Sequence, residues 1–160
     1  MLQKTVNTKQ AFGLVGTFYD TSARRVAPYN VCETAGHTAP TVGRAFTADA
    51  NDTTKAVMGG TEAFLGILVS PHEYVLNGLT ASLEVENGSI GQLCTFGHII
   101  VKPTTAVSVG YVAAFNNTTG AIEGYADANS VASGSTLIPN ARFVFVDALA
   151  DEPAVLELGA

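Results

Sequence analysis

Charge is scarce in this chain. Only 14% of its 160 residues are charged, against about 25% in an ordinary globular domain, and tryptophan is absent. So few charges suit a protein whose faces are covered by neighbours better than a lone domain that charge keeps dispersed. No continuous apolar run reaches the ~20 residues of a membrane helix, so no membrane partner is expected. The start, Met1-Leu2-Gln3-Lys4-Thr5-Val6-Asn7, lacks the apolar stretch of a secretion signal. The chain is therefore expected in a cytoplasm or in something assembled there. Cysteine is limited to Cys32 and Cys94, far apart and without ligand spacing. They read as two small buried apolar side chains, with a disulfide as the alternative.

The charge present is unevenly placed. Residues 1–80 balance six basic side chains against six acidic ones, whereas residues 81–160 hold only Lys102 and Arg142 against eight acids, so the whole net charge of −6 lies in the second half. An acidic half repels nucleic acid and the basic residues of the first half form no dense patch, so no nucleic-acid partner is expected.

What the chain has is glycine and β-branched residues in alternating blocks. Gly88 to Gly120 carries two runs, Ser89 to Val101 and Val107 to Phe115, broken by Gly91, Gly97 and Gly110 and closed by Asn116-Asn117-Thr118-Thr119-Gly120. Glycine relieves crowding where strands bend, and Asn and Gly tolerate positive φ at turns, so this is the grammar of a tightly curved antiparallel sheet. Further strands are predicted over Arg24 to Val31, Phe64 to Val69, Leu83 to Glu86, Ile122 to Tyr125, Arg142 to Val146 and Val155 to Leu158. Pro28 confines the first of these to an edge or to one-sided pairing. In Leu83-Glu84-Val85-Glu86 the alternation points the apolar pair inward. Leu137 to Asn140 reads as a turn, and Arg142 to Val146, apolar on both faces, as an interior strand. Residues 32–61 form a long excursion with one or two short strands, and the polar first ten residues a flexible arm.

About ten strands with turns every eight to twelve residues, and no amphipathic helix, point to an all-β barrel or sandwich. The expectation is a single small antiparallel β-barrel or jelly-roll-like domain with an extended N-terminal arm. Its arm and first strands take residues 1–31 and its barrel domain residues 32–160. A chain of this size buries roughly 68–70% of its unfolded surface, enough for a core without metals or disulfides.

Catalytic and metal signatures are missing. His37, His72 and His98 fall in no HxH, HxxxH or HExxH spacing, so no metal and no cofactor is expected. His98, among Phe96, Ile99 and Ile100, reads as a core or half-exposed barrel histidine. There is no GxSxG elbow, no GxGxxG and no phosphate-binding glycine loop. Glu84 and Glu86 form an i, i+2 pair that reads as a solvated strand face. A hydrolase with a spatially assembled triad stays open as an alternative, because folding can unite distant residues.

Three segments carry a resemblance. Gln10 to Tyr29, with Tyr19-Asp20-Thr21-Ser22-Ala23-Arg24-Arg25-Val26-Ala27-Pro28-Tyr29 at its end, resembles the N-terminal signature of tailed-bacteriophage structural cement, or capsid decoration, proteins. Gly97-His98-Ile99-Ile100-Val101 with Val109 to Ala113, and Ile138 to Val144, are similar to the barrel of that family. Residue 111 departs from the pattern, being Tyr where Asp is common, and residues 32–62 match none of it. The resemblance implies a non-enzymatic protein of the virion that binds the outer capsid surface. Its partners would be the major capsid protein and itself, as a homodimer or homotrimer. On this reading Phe12, Leu14, Phe18, Tyr19 and Tyr29 give apolar anchors and Arg24 and Arg25 pair with carboxylates of the capsid or of a sister subunit. A β-barrel module recognising host glycans from the virion surface is the alternative.

Overall fold

The β-branched and glycine-punctuated runs become eleven strands in the computed structural model, which describes residues 13–159 except 35, 37, 72–75, 78, 79 and 82. They are β1 Arg25–Cys32, β2 Ala45–Ala48, β3 Lys55–Met58, β4 Phe64–Leu68, β5 Leu76–Asn77, β6 Thr80–Ala81, β7 Ser89–Val101, β8 Val112–Asn116, β9 Ile122–Tyr125, β10 Ser135–Val144 and β11 Ala154–Leu158. Among the described residues the only helical segment is a 3-10 turn, Ala128–Ser130, whose free amides are capped by Asp127.

The 13-residue β7 organises the fold. Its first half lies between β1 and β4, antiparallel to both. β1 also pairs in parallel with β3, and β3 leads through β2 back to β4, so β1, β3, β2, β4 and β7 close into a five-stranded barrel. Closure removes the exposed edges that a short open sheet would leave. At Gly97 the strand leaves the barrel and pairs with β11, which continues into β10, β8 and β9. Gly97 has φ +113°, and an added Cβ would stand 3.1 Å from the Ala23 carbonyl oxygen. Both conditions favour the residue that has no Cβ.

Two apolar clusters fill the molecule. Val31, Phe46, Ala56, Met58, Leu68 and Leu93 supply one from all five barrel strands. Ile99, Val101, Phe115, Ile122, Ile138, Phe143 and Leu156 belong to the other, across the second sheet. Phe46, Phe115 and Phe143 are completely buried, and each such side chain contributes roughly 1.5–3 kcal/mol by leaving water.

The single all-β domain stands as expected, and its antiparallel pairing holds apart from the parallel β1–β3 contact and an isolated parallel bridge of Phe46 to Gly59. Pro28 lies where β1 pairs with β7 alone, because β3 reaches only Asn30 to Cys32. Three local expectations are corrected. Residues 83–86 form no regular strand: Glu84 makes an isolated bridge to Thr41, and Leu83 remains 49% exposed. Backbone bonds to Pro40 and Val42 hold this segment. Val85 packs on the barrel cluster and Glu84 and Glu86 are exposed as the alternation implies, and only Leu83 fails to turn inward. Leu137 to Asn140 is not a turn but the middle of β10, with a register shift between Leu137 and Arg142 and Asn140 at φ +50°. Proline 139 lacks the N–H for the ladder, and a bulge absorbs that break. The second run of the central block is a strand only from Val112; Val107 makes an isolated bridge to Ala148, and a turn joins Ser108 to Tyr111.

Candidate functional site

Residues 13–24 run as a strap along β7. Where β7 has left the barrel, the Gly16 N–H donates to the Ile100 carbonyl at 2.8 Å, the Ile100 N–H to Thr17 at 2.9 Å, and the Tyr19 N–H to His98 at 3.0 Å. Phe18 reaches the apolar cluster of the second sheet. The Arg24 guanidinium lies 4.6 Å above the Phe18 ring centroid, a cation–π contact.

A polar network pins the strap from the side. His98 Nδ1 lies 2.6 Å from Asp20 Oδ2, and His98 Nε2 faces Glu157 Oε1 at 3.5 Å. Glu157 is held in turn by Arg142 Nε at 2.8 Å. Register explains the row: Glu157 pairs with His98 across β11 and β7, and with Arg142 across β11 and β10. The Ser22 hydroxyl donates to Asp20 and holds its carboxyl below the ordinary range, with His98 adding to the effect. The Arg142 contact does the same for Glu157.

This network is no hydrolytic relay. In a nucleophilic triad the carboxylate and the hydroxyl bond opposite nitrogens of the imidazole. Here Asp20 at 2.6 Å and Ser22 at 3.4 Å address the same nitrogen, Nδ1. Nor is either cysteine an activated nucleophile. Both are free thiols; burial pushes Cys94 up to about 11 and also raises Cys32, the reverse of what nucleophilic attack needs. Among the described residues no group of three or more His, Cys, Asp or Glu side chains could hold a metal ion.

Beside the network stands a ring cluster. Tyr19 stacks on Phe145 with centroids 5.0 Å apart, and His98 meets Phe145 edge-on at 5.1 Å. Phe145 sits at φ +70°, and the Val146 N–H closes a three-residue turn onto the Val144 carbonyl at 2.9 Å. β10 ends at Val144 and Phe145 is 56% exposed, so the interior strand expected over Arg142 to Val146 stops short and turns its last ring outward. A cleft of about 650 Å³ opens farther along, lined in part by Phe18, Arg24, Val26, Pro71, Val85 and Ile90.

The anchors drawn from the sequence are distributed unevenly. Leu14 is 60% exposed, Arg24 and Arg25 are exposed, and Phe18, Tyr19 and Tyr29 are half-buried. Tyr29 packs on the barrel cluster, and Phe12 lies outside the described residues. The fold brings Phe18, Tyr19 and Arg24 together on the strap, while Tyr29 belongs to the barrel wall. Sequence reasoning missed Asp20, Glu157, Arg142 and Phe145, because cross-strand register and a positive φ leave no mark in local composition.

The site thus consists of a closed barrel, an N-terminal strap laid along β7 and an exposed aromatic ring beside a polar network. The family model described as "Structural cement protein (E217 gp24/Pam3 gp6)" matches residues 2–159. The chain belongs to this family of phage structural proteins. A solved structure, "The capsid of Myoviridae Phage XM1", is similar over 98% of this chain and 96% of the other with a TM-score of 0.66. At 13% identity that likeness shows the shared fold. No curated protein matches the chain.

Proposed function

We propose that the protein acts without catalysis, binding the outer surface of an icosahedral phage capsid as a homodimer or homotrimer and bridging neighbouring major capsid subunits. The observation that carries this reading is the family match over residues 2–159. The architecture supports it. A barrel closed on itself gives a stiff body, and many copies of a weak clamp stabilise a shell through repetition rather than through one tight contact. Edge protection also fits docking by side chains. The outer edge of β9 is covered where Thr104 N–H bonds the Ile122 carbonyl and the Gly124 N–H bonds the Thr105 hydroxyl, which blocks strand addition there.

On the same reading the contact runs over the strap and the start of β1, with Leu14, Arg24 and Arg25 exposed and Tyr19 half-buried against Phe145. Shells purified without this protein, titrated with it and imaged at side-chain detail, test the proposal. Ordered density spanning two capsid subunits and a raised melting temperature of the shell are expected. Shells that stay bare at saturating protein would overturn it.

A further inference from the structure

Phe145 has the most unusual backbone of any large side chain in the described structure. A bulky L-residue at positive φ is disfavoured, and the turn closed by the Val146 N–H onto Val144 at 2.9 Å is the rare, strained kind of γ-turn. Such strain costs on the order of 1–3 kcal/mol and persists where the surroundings enforce it. The result is an aromatic ring held outward, 56% exposed, although core strands stand immediately beside it. Its position is braced: Tyr19 stacks on it at 5.0 Å, and His98 supports it edge-on at 5.1 Å. Tyr19 is itself anchored by its amide on the His98 carbonyl at 3.0 Å. A ring braced on two sides and open elsewhere is an adapted contact, not a core residue left outside.

The electrostatics indicate what rests on it. The ring belongs to the half of the chain that carries the whole net charge of −6. Two carboxylates reach His98, the ring that meets Phe145 edge-on: Asp20 at 2.6 Å and Glu157 at 3.5 Å. Arg142 is engaged by Glu157 at 2.8 Å. Asp20 and Glu157 stay ionised well into acid, being held below the ordinary carboxylate range. An aromatic face is itself negative, and carboxylates nearby deepen that potential.

We infer that the Phe145–Tyr19 platform is a docking point for a basic side chain, arginine or lysine, on the outer surface of a major capsid subunit. This deepens the capsid-binding reading and rests on it. A cation over the ring gains the quadrupole attraction together with the field of Asp20 and Glu157. Arg24 over Phe18 at 4.6 Å is the same contact made within the chain.

The test uses Phe145→Gly, Phe145→Leu and Phe145→Trp in the full chain, titrated onto shells that lack the protein at low and high salt. Glycine suits the positive φ, so Phe145→Gly is expected to fold, checked by its circular dichroism and melting curve. Its half-saturation concentration on shells should rise about tenfold, and less at high salt. Phe145→Leu, which keeps apolar bulk and loses the ring, should behave like Phe145→Gly. Phe145→Trp should bind as wild type does. Wild-type occupancy by Phe145→Leu would make the contact merely apolar and overturn the inference. So would wild-type occupancy by Phe145→Gly, or an altered oligomeric state with shell binding unchanged, which would assign the ring to a sister subunit. Wild-type protein that leaves shells bare would instead sink the capsid reading, and this inference with it.

Discussion

His98 Nδ1 and Asp20 Oδ2 stand 2.6 Å apart across 78 residues of chain, tying the strap to the strand that leaves the barrel. A carboxylate only accepts hydrogen bonds, so Nδ1 carries the proton in this pair.

Acid should loosen this tie. Asp20 and Glu157 have folded pKa values below their ordinary 3.8 and 4.5. Groups depressed by folding contribute stability that is present above the unfolded value and lost as pH falls through the folded one. The melting temperature should therefore change little through these groups down to about pH 5 and fall below it. Asp20→Asn should make that fall shallower, and amide exchange at Tyr19 should quicken in the variant. Identical acid profiles for the two proteins would show that the Asp20 carboxylate contributes nothing.

Gly97→Ala should strain the junction between barrel and sheet. The new Cβ meets the Ala23 carbonyl oxygen at 3.1 Å at a φ of +113°, and the expected loss is about 1–3 kcal/mol. Urea unfolding measures it; an unchanged midpoint would mean that the strap simply moves aside.

The second sheet depends on Phe115, fully buried and 5.9 Å from the Phe64 ring. Phe115→Ala should cost about 3–5 kcal/mol through lost transfer energy and the cavity left behind, read from the same unfolding curves. A cost below about 1 kcal/mol would show that the site collapses around the missing ring.

Arg24→Glu and Arg25→Glu should separate two roles. Arg24 lies over Phe18, so its reversal should lower stability by about 0.5–1 kcal/mol as well as weaken shell binding. Arg25→Glu should leave the melting temperature alone and act on binding only. If the double variant saturates shells at wild-type concentration, these arginines are not the contact.

Cys94 should resist alkylation in the native protein at pH 8, since burial pushes its thiol up to about 11 and the thiolate is the reactive form. Labelling with iodoacetamide followed by mass spectrometry decides this, with modification expected only after unfolding.

Alternation, glycine spacing and turn residues in the chain were enough to determine an all-β fold, a strand near Arg24 to Val31 with edge or one-sided pairing at Pro28, and a final strand over Val155 to Leu158, each within a residue of what forms. These are local properties: a side-chain period of two and a missing amide act where they are written. Tertiary structure alone decided that Leu83 stays outside, that β10 runs through Pro139, that Asp20 and Glu157 both reach His98, and that Phe145 turns outward at positive φ. Each depends on which distant backbone comes alongside. Cross-strand register is set by burial of the whole core and by barrel closure, and no short stretch of sequence contains either.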